Sequence, residues 1–382
     1  MEATAATQQP AGTSNPYYDW QAREGIPVIT GLQIADLTEV ALAPWERMGG
    51  LGAFINMGTK PSDVSAAYLC EIPPGGQLHP QSHMFEEFAY ILSGRGATTI
   101  WNEGQPKQMV EWQAGSFIGI PMNARHQHFN TGQQPARLLA HHNMPRMMDV
   151  VPNERFIFAN PFVFADRFNG EPDYFSGDGE YNTRNSTGRP AWKANFVPEL
   201  GSLSLYDRSS RGAGGLSVLI EMAGARSHIH MSQFPVDTYK KGHVDPRVKG
   251  SDPGGGSLLL IVAGVGFSLV WQPGDTEFTR LDWKPNSLVI APKAWYHQHF
   301  NTGPTPARYL ALVGGGETDR RPRMADVSER EGGGQIEYAD ENPEIHHAFE
   351  AELARNGAVC RMDELSPFCT SERTSERGQT PL

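Results

Sequence analysis

Cysteine is scarce: the 382 residues hold three, Cys70, Cys360 and Cys369. None forms a CxxC pair and the count is odd, which excludes a disulfide-framed scaffold. A reducing compartment is the simplest setting, with a Cys360–Cys369 bridge left open. Positive charge is in deficit, 32 Lys and Arg against 43 Asp and Glu, for a net charge of −11. With no basic patch near the motifs below, this argues against nucleic acid as a partner and reads as ordinary cytosolic solubility. No run approaches the ~18 apolar residues of a membrane span. The opening MEATAATQQPAGTSNP has neither a basic start nor an apolar stretch, so no secretion signal is expected. These absences predict a cytoplasmic protein with no membrane partner.

Glycine (41) and proline (29) are plentiful, as expected of many short strands joined by turns. The heptapeptide HQHFNTG occurs twice, at 126–132 and 297–303, and both copies continue to PAR, at 135–137 and 306–308. Upstream, VEWQAGSFIGIP (110–121) faces LDWKPNSLVIAP (281–292), and LSGRGATTIW (92–101) faces VAGVGFSLVW (262–271). A near-constant offset over such a length marks an internal duplication. The predicted organisation is an arm over 1–36, a first domain over 37–150, a connector over 151–205, a second domain over 206–327 and a C-terminal extension over 328–382. The arm carries YYDWQAREGIPVITG, an aromatic stretch suited to packing on a partner subunit. Within the domains, runs such as AAYLCEI, ATTIW, SLLLIVAG and ARYLALV predict an all-β barrel or sandwich. ERFIFANPFVFADRF suits a strand or a short helix. NPEIHHAFEAELARNG, with Pro after Asn and Gly at its end, predicts a helix.

The chemistry concentrates in HPQSHMFEEFAYILSG. Read at a strand's period of two, His79, Gln81, His83 and Glu87 share one face and Glu86 points away. His126 and His128 share a face of a later strand. Imidazole, carboxylate and neutral amide together suit Fe(II), Mn(II), Zn(II), Ni(II) or Co(II). Three or four protein ligands would leave positions for water, dioxygen or substrate.

These residues resemble the cupin superfamily, specifically its two-domain bicupins. Gln81-Ser82-His83, then Glu87 and Gly94, follow the first cupin motif, with Gln81 where a histidine stands. Gly115, Pro121, Asn123, His126 and Asn130 follow the second, with Asn123 in place of glycine. The resemblance implies two tandem jelly-roll barrels and a metal held by His83, Glu87 and His126. Gln81 is the expected fourth ligand, with water or His79 as alternatives. His79 or His128 is the expected acid or base. Matching Phe234-Pro235 to Ile72-Pro73 places His243 on Gln81 and Asp245 on His83, while Ser257 stands where Glu87 should be. His243, Asp245 and His297 form a candidate second metal set, with His230 or His299 as a fourth ligand, and the insertion after Asp245 suits a lid. The shared Trp101/Trp271 and Trp112/Trp283 are expected in the cores. Arg137 and Arg308 are expected in structural ion pairs, and NTG in a turn with special backbone angles. AHHN (140–143) fits a pocket lining or the surface equally well.

The resemblance further implies an Fe(II) dioxygenase acting on a small organic or aromatic acid, as in gentisate-type bicupins. The alternative is a Mn(II)- or Zn(II)-dependent lyase or decarboxylase of the oxalate decarboxylase type. The third reading is a non-catalytic binding or storage protein. Assembly into a homo-oligomer is expected on the same resemblance.

Overall fold

The computed structural model describes residues 15–59, 62, 64–182, 189–244, 256–316 and 324–370. Strand periodicity is plainest in Gln108–Gln113, where Val110 and Trp112 turn inward while Met109, Glu111 and Gln113 face out. By contrast, Ala66–Ile72 is buried on both faces. Its Tyr68, Cys70 and Ile72 enter the core of the first half, and its Ala67 and Leu69 enter a second core. That second core joins Ile55, Phe88 and Leu139 to Ile229, Met231, Leu310 and Leu312 of the other half. The large sheets of the two halves therefore pack back to back, which explains why these strands read as continuous apolar runs.

Each half is a jelly-roll of two sheets that do not close into one continuous barrel. In the first, the main path of the large sheet runs Val28–Gly31, Gly50–Met57, Ala66–Ile72, Ala136–His142, Glu87–Ser93, Phe117–Ile120 and Phe196–Val197. A three-stranded sheet of Arg125–Asn130, Arg95–Trp101 and Gln108–Gln113 completes it. The second half repeats the plan, with Leu216–Glu221, Ser227–Phe234, Ala307–Gly316, Gly256–Ala263 and Leu288–Pro292 in the large sheet. Its small sheet orders Thr279–Trp283, Gly266–Trp271 and Tyr296–Asn301.

The halves also exchange short strands. Gln33–Ile34 joins the large sheet of the second half, and Phe196–Val197 joins that of the first. The N-terminal arm thus packs on its own chain, whose first core takes up its aromatics. Its helix Pro16–Glu24, capped by Asn15, buries Tyr17 and Trp20 in the first core. ERFIF forms a short helix, Glu154–Phe158, and no strand follows it among the described residues before Glu180. The expected C-terminal helix is Pro343–Arg355, with Asn342 as its cap.

The duplication survives in backbone detail. Gly94 and Gly264 both sit at positive φ, 85° and 87°, and so do Asn123 (58°) and its counterpart Ala294 (64°). Asn123 can replace the motif glycine because asparagine tolerates the left-handed region. Its amide also donates to the Asn160 and Phe162 carbonyls. The NTG turns work differently from expectation. Asn130 and Asn301 are absent from the positive-φ residues and act through their side chains. Asn130 Nδ2 donates to the carbonyls of Ile72, Pro73 and Gln134, and Asn301 Nδ2 to those of Pro235 and Thr305.

Candidate metal centre

Three side chains converge inside the first jelly-roll. Glu87 opens the strand Glu87–Ser93, His126 lies on the facing strand Arg125–Asn130, and His83 comes from the loop that leads into Glu87. One ligand atom from each lies within 4.8 Å of the others. His83 Nε2 is 3.6 Å from Glu87 Oε2, and His126 Nε2 is 4.0 Å from Glu87 Oε1. All three are buried, at 4%, 1% and 1% exposure for His83, Glu87 and His126.

The local chain fixes the imidazoles. His83 Nδ1 faces the Phe85 carbonyl at 3.1 Å, with its ring stacked on Phe85. His126 Nδ1 faces the Ala124 carbonyl at 3.3 Å. Donation from Nδ1 to a carbonyl leaves the Nε2 lone pair directed at the third partner, as metal-binding histidines require. His83 Nε2 and Glu87 Oε1 have no hydrogen-bond partner despite complete burial. Buried polar atoms left unpaired in this way are costly, and a divalent cation would satisfy both. Two imidazoles and a carboxylate are a fitting donor set for one.

Charge follows the same pattern. Burial raises the Glu87 pKa, but His83, His126 and His142 outweigh it and hold the carboxyl at about 2. Burial, reinforced by His83, pushes His126 down to about 3, so its ring is neutral and able to ligate. His128 is pushed down to about 4, chiefly by burial. Trp112 Nε1 donates to Thr98 Oγ1 at 2.9 Å, and the threonine hydroxyl meets His128 Nδ1 at 2.7 Å. The relay recurs in the second half as Trp283, Ser268 and His299.

One expected residue, His79, lies elsewhere. The stretch before Glu87 is not one extended ribbon, because Gln81 makes an isolated bridge to His126 and the regular strand begins only at Glu87. Gln81 Nε2 donates to the Arg47 and His79 carbonyls. His79 is exposed, with Nδ1 toward the Arg47 carbonyl, and the structure does not bring it to the group. Glu86 does point away. It accepts from Arg226 and Ser227 of the other half. Two residues join the site without having been singled out as its members. Tyr68 donates to Glu87 Oε2 at 2.9 Å, and His142 stands opposite Glu87 in the sheet register. The parity of AHHN against EEF carried that signal, since His142 and Glu87 are both inward positions.

In the second half, His243 and His297 face each other with ring centroids 4.0 Å apart, and Asp245 lies outside the described residues. Ser257 indeed occupies the Glu87 position, since it pairs with Val313 as Glu87 pairs with His142. Among the described residues, the ligand groups do not include His243 or His297. His230 bonds His228, with Nε2 of His228 3.2 Å from Nδ1 of His230. A cavity of about 320 Å³ opens here, lined by His230, Lys240, His243, His297, His299 and Tyr309 among others. Arg137 pairs with Glu71 as expected. Arg308 instead binds the carbonyls of Leu200, Gly201 and Leu203. Trp112, Trp271 and Trp283 are buried, while Trp101 is half-buried beneath Lys107.

Residues 68–142 match the cupin domain family. No curated protein sequence matches the chain. Among solved structures, the chain is similar to a mutant of the Bacillus subtilis oxalate decarboxylase at 13% identity and TM-score 0.47, covering 75% of this chain and 78% of that one. It is similar to the Lactobacillus farciminis oxalate decarboxylase formate complex at 12% identity and TM-score 0.47, covering 75% and 86%.

Proposed function

We propose that the chain is a two-domain cupin, residues 68–142 matching the cupin domain family and the second half repeating the sheet plan of the first, and that it is a metal-dependent enzyme acting on a small organic acid. Its centre is the His83, Glu87 and His126 group of the first half. The unpaired lone pairs of His83 Nε2 and Glu87 Oε1 carry this reading. Two histidines and one carboxylate are the donor set of non-haem Fe(II) oxygenases, so an Fe(II) dioxygenase is the leading reaction class. A metal bound there supplies positive charge and open coordination positions for substrate and dioxygen. The protein's own residues set the surroundings. Tyr68 stays protonated and holds Glu87 in place, and the Phe85 and Ala124 carbonyls orient the imidazoles. His128 is the candidate acid or base, its orientation fixed by Thr98.

A redox-neutral lyase using Mn(II) or Zn(II) is the second reading. It is favoured by His128, an imidazole held by Thr98 that could exchange a proton with substrate without any change in the metal's oxidation state. The test is elemental analysis of the purified protein, of His126→Ala and of His297→Ala, followed by oxygen-electrode assays with small acids. A redox-active metal lost in His126→Ala, with substrate-dependent oxygen uptake, supports the dioxygenase. Turnover without oxygen uptake supports the lyase. Absence of metal at this centre, even after reconstitution, overturns both and leaves a binding or storage protein.

A further inference from the structure

The second jelly-roll has departed from the first at three interior positions that the strand registers align. Cys70 pairs with Leu138 in the first half, and Ser232 pairs with Tyr309 in the second. Leu78 N donates to the His128 carbonyl, and Lys240 N to the carbonyl of His299. The aligned pairs are therefore Cys70/Ser232, Leu138/Tyr309 and Leu78/Lys240. Cys70, Leu78 and Leu138 are packed core, whereas their polar counterparts line the cavity of about 320 Å³.

Lys240 is 5% exposed, and burial lowers the pKa of its ammonium. Nζ bonds the Tyr309 hydroxyl at 3.0 Å and Ser232 Oγ at 3.4 Å, and no carboxylate pairs with it among the described residues. A buried ammonium held only by neutral groups is unfavourable unless an anion completes it. Arg189 and Arg211 share the cavity wall, and Asp326 offsets part of that charge through Arg208 and Arg211. We propose that this cavity is a binding site for a small oxyanion, a carboxylate or a phosphate, seated on Lys240, Tyr309 and Ser232. The site is independent of the metal centre in the other half.

Calorimetric titration of the full chain at low salt, with malonate in one arm and inorganic phosphate in the other, tests this and separates the two sources. Saturable binding of either anion is expected, weakened about 10- to 100-fold in Lys240→Leu, as loss of a charged hydrogen-bonding group implies. Leucine already occupies the aligned position of the first half, so this variant should fold, and Tyr309→Phe gives a second reading with a smaller loss. Failure of both anions to bind the wild type, or equal binding to Lys240→Leu, overturns the proposal.

A separate cluster supports a second site. His346 Nε2, Sγ of Cys360, Sγ of Cys369 and a Glu350 oxygen all lie within 4.8 Å of one another. His346 Nε2 is 3.5 Å from Glu350 Oε1 and 3.8 Å from Cys360 Sγ. Zinc bonds of about 2.0–2.3 Å give tetrahedral ligand edges of roughly 3.3–3.8 Å, so these spacings already fit. Behind the cluster, the Tyr239 hydroxyl donates to Glu341 and meets His346 Nδ1 at 2.7 Å, an arrangement that turns Nε2 toward the thiols. The geometry points to a structural zinc site that ties the helix Pro343–Arg355 to the segment carrying Cys360 and Cys369. The cysteines would bind as thiolates, releasing two protons. One zinc per chain is expected, retained in His126→Ala, lost in Cys360→Ser and in the half-exposed Cys369→Ser. Cobalt exchange should give a thiolate charge-transfer band. Zinc retained in both serine variants, or a Cys360–Cys369 disulfide in metal-free protein freshly purified under non-reducing conditions, overturns it.

Discussion

Replacing Glu87 by glutamine separates a metal ligand from an ordinary buried acid, because only a ligand makes the cost depend on bound metal. The amide keeps the volume and can still accept from the Tyr68 hydroxyl, while the negative charge is lost. In the metal-free protein, Glu87 Oε1 is a buried acceptor with no partner, a defect of about 1–3 kcal/mol. Against relief of that defect stands loss of the attraction to His83, His126 and His142 that holds the carboxyl at about 2, so Glu87→Gln should cost the metal-free protein only a modest amount. In the metal-loaded protein the variant loses one of three ligands. Disturbing a residue that merely supports a ligand costs about 10- to 100-fold in affinity, so direct loss should reach at least the upper figure, about 2.7 kcal/mol.

At saturating metal that difference passes into stability by mass action. For a unit of about 150–250 residues, 1 kcal/mol moves Tm by roughly 2–4 °C. The wild type should then exceed the variant by about 5–10 °C more when loaded than after chelation. Differential scanning calorimetry of four samples, each protein with metal and with chelator, gives the answer. An equal drop in both states would refute the reasoning. It would mean that the His83–Glu87 contact of 3.6 Å is a stabilising ion pair in its own right.

Three further substitutions test the frame around the site. Thr98→Val removes the hydroxyl between Trp112 and His128, stranding two buried polar groups. It should cost about 2–5 kcal/mol in urea unfolding, and Thr98→Ser should restore most of it. His141 is wholly buried on the face packed against the second half, both ring nitrogens lacking a partner, and burial pushes its pKa down to about 3. Its folded pKa lies below the unfolded value of 6.5, so the unfolded chain takes up a proton first as pH falls. The stability it permits is complete above pH 6.5 and declines toward pH 3, by about 2 kcal/mol at pH 5. His141→Leu should flatten the pH dependence of Tm between 6.5 and 5; an unaltered slope would assign it to other groups. Gly96→Ala would place a Cβ 2.0 Å from the Phe129 carbonyl and 2.4 Å from Trp112. The small sheet should lose stability by several times the ordinary glycine-to-alanine effect of about 0.5–1 kcal/mol, measured as a fall in Tm.

How much of this was legible in the sequence depended on whether a signal was local. The duplication and the strands repeat at fixed spacing, so they could be read directly, whereas the set of His83, Glu87 and His126 came from the resemblance to the cupin motifs, His83 lying in the loop before the strand. His79 was misplaced because a period of two was extended through a loop, where Gln81 bridges once to His126 and the chain then turns. The arm was read as packing on something, a partner subunit among the options, because aromatics announce burial without naming the surface; Tyr17 and Trp20 enter the first core. Lys240 and Tyr309 were invisible for a further reason. Each is unremarkable alone, and gains meaning only when register sets it against Leu78 and Leu138. That comparison also bears on the division of labour between the halves. The first keeps a carboxylate and fills its interior with apolar side chains. The second has serine at the carboxylate position and cationic and hydroxyl groups where the apolar ones stood. Random decay of a redundant copy would not place three compensating polar groups around one cavity, because each alone would be an unpaired buried group and costly. The pattern is that of a pocket rebuilt for a charged ligand, and the titrations with Lys240→Leu and the metal analyses of His126→Ala should therefore respond independently.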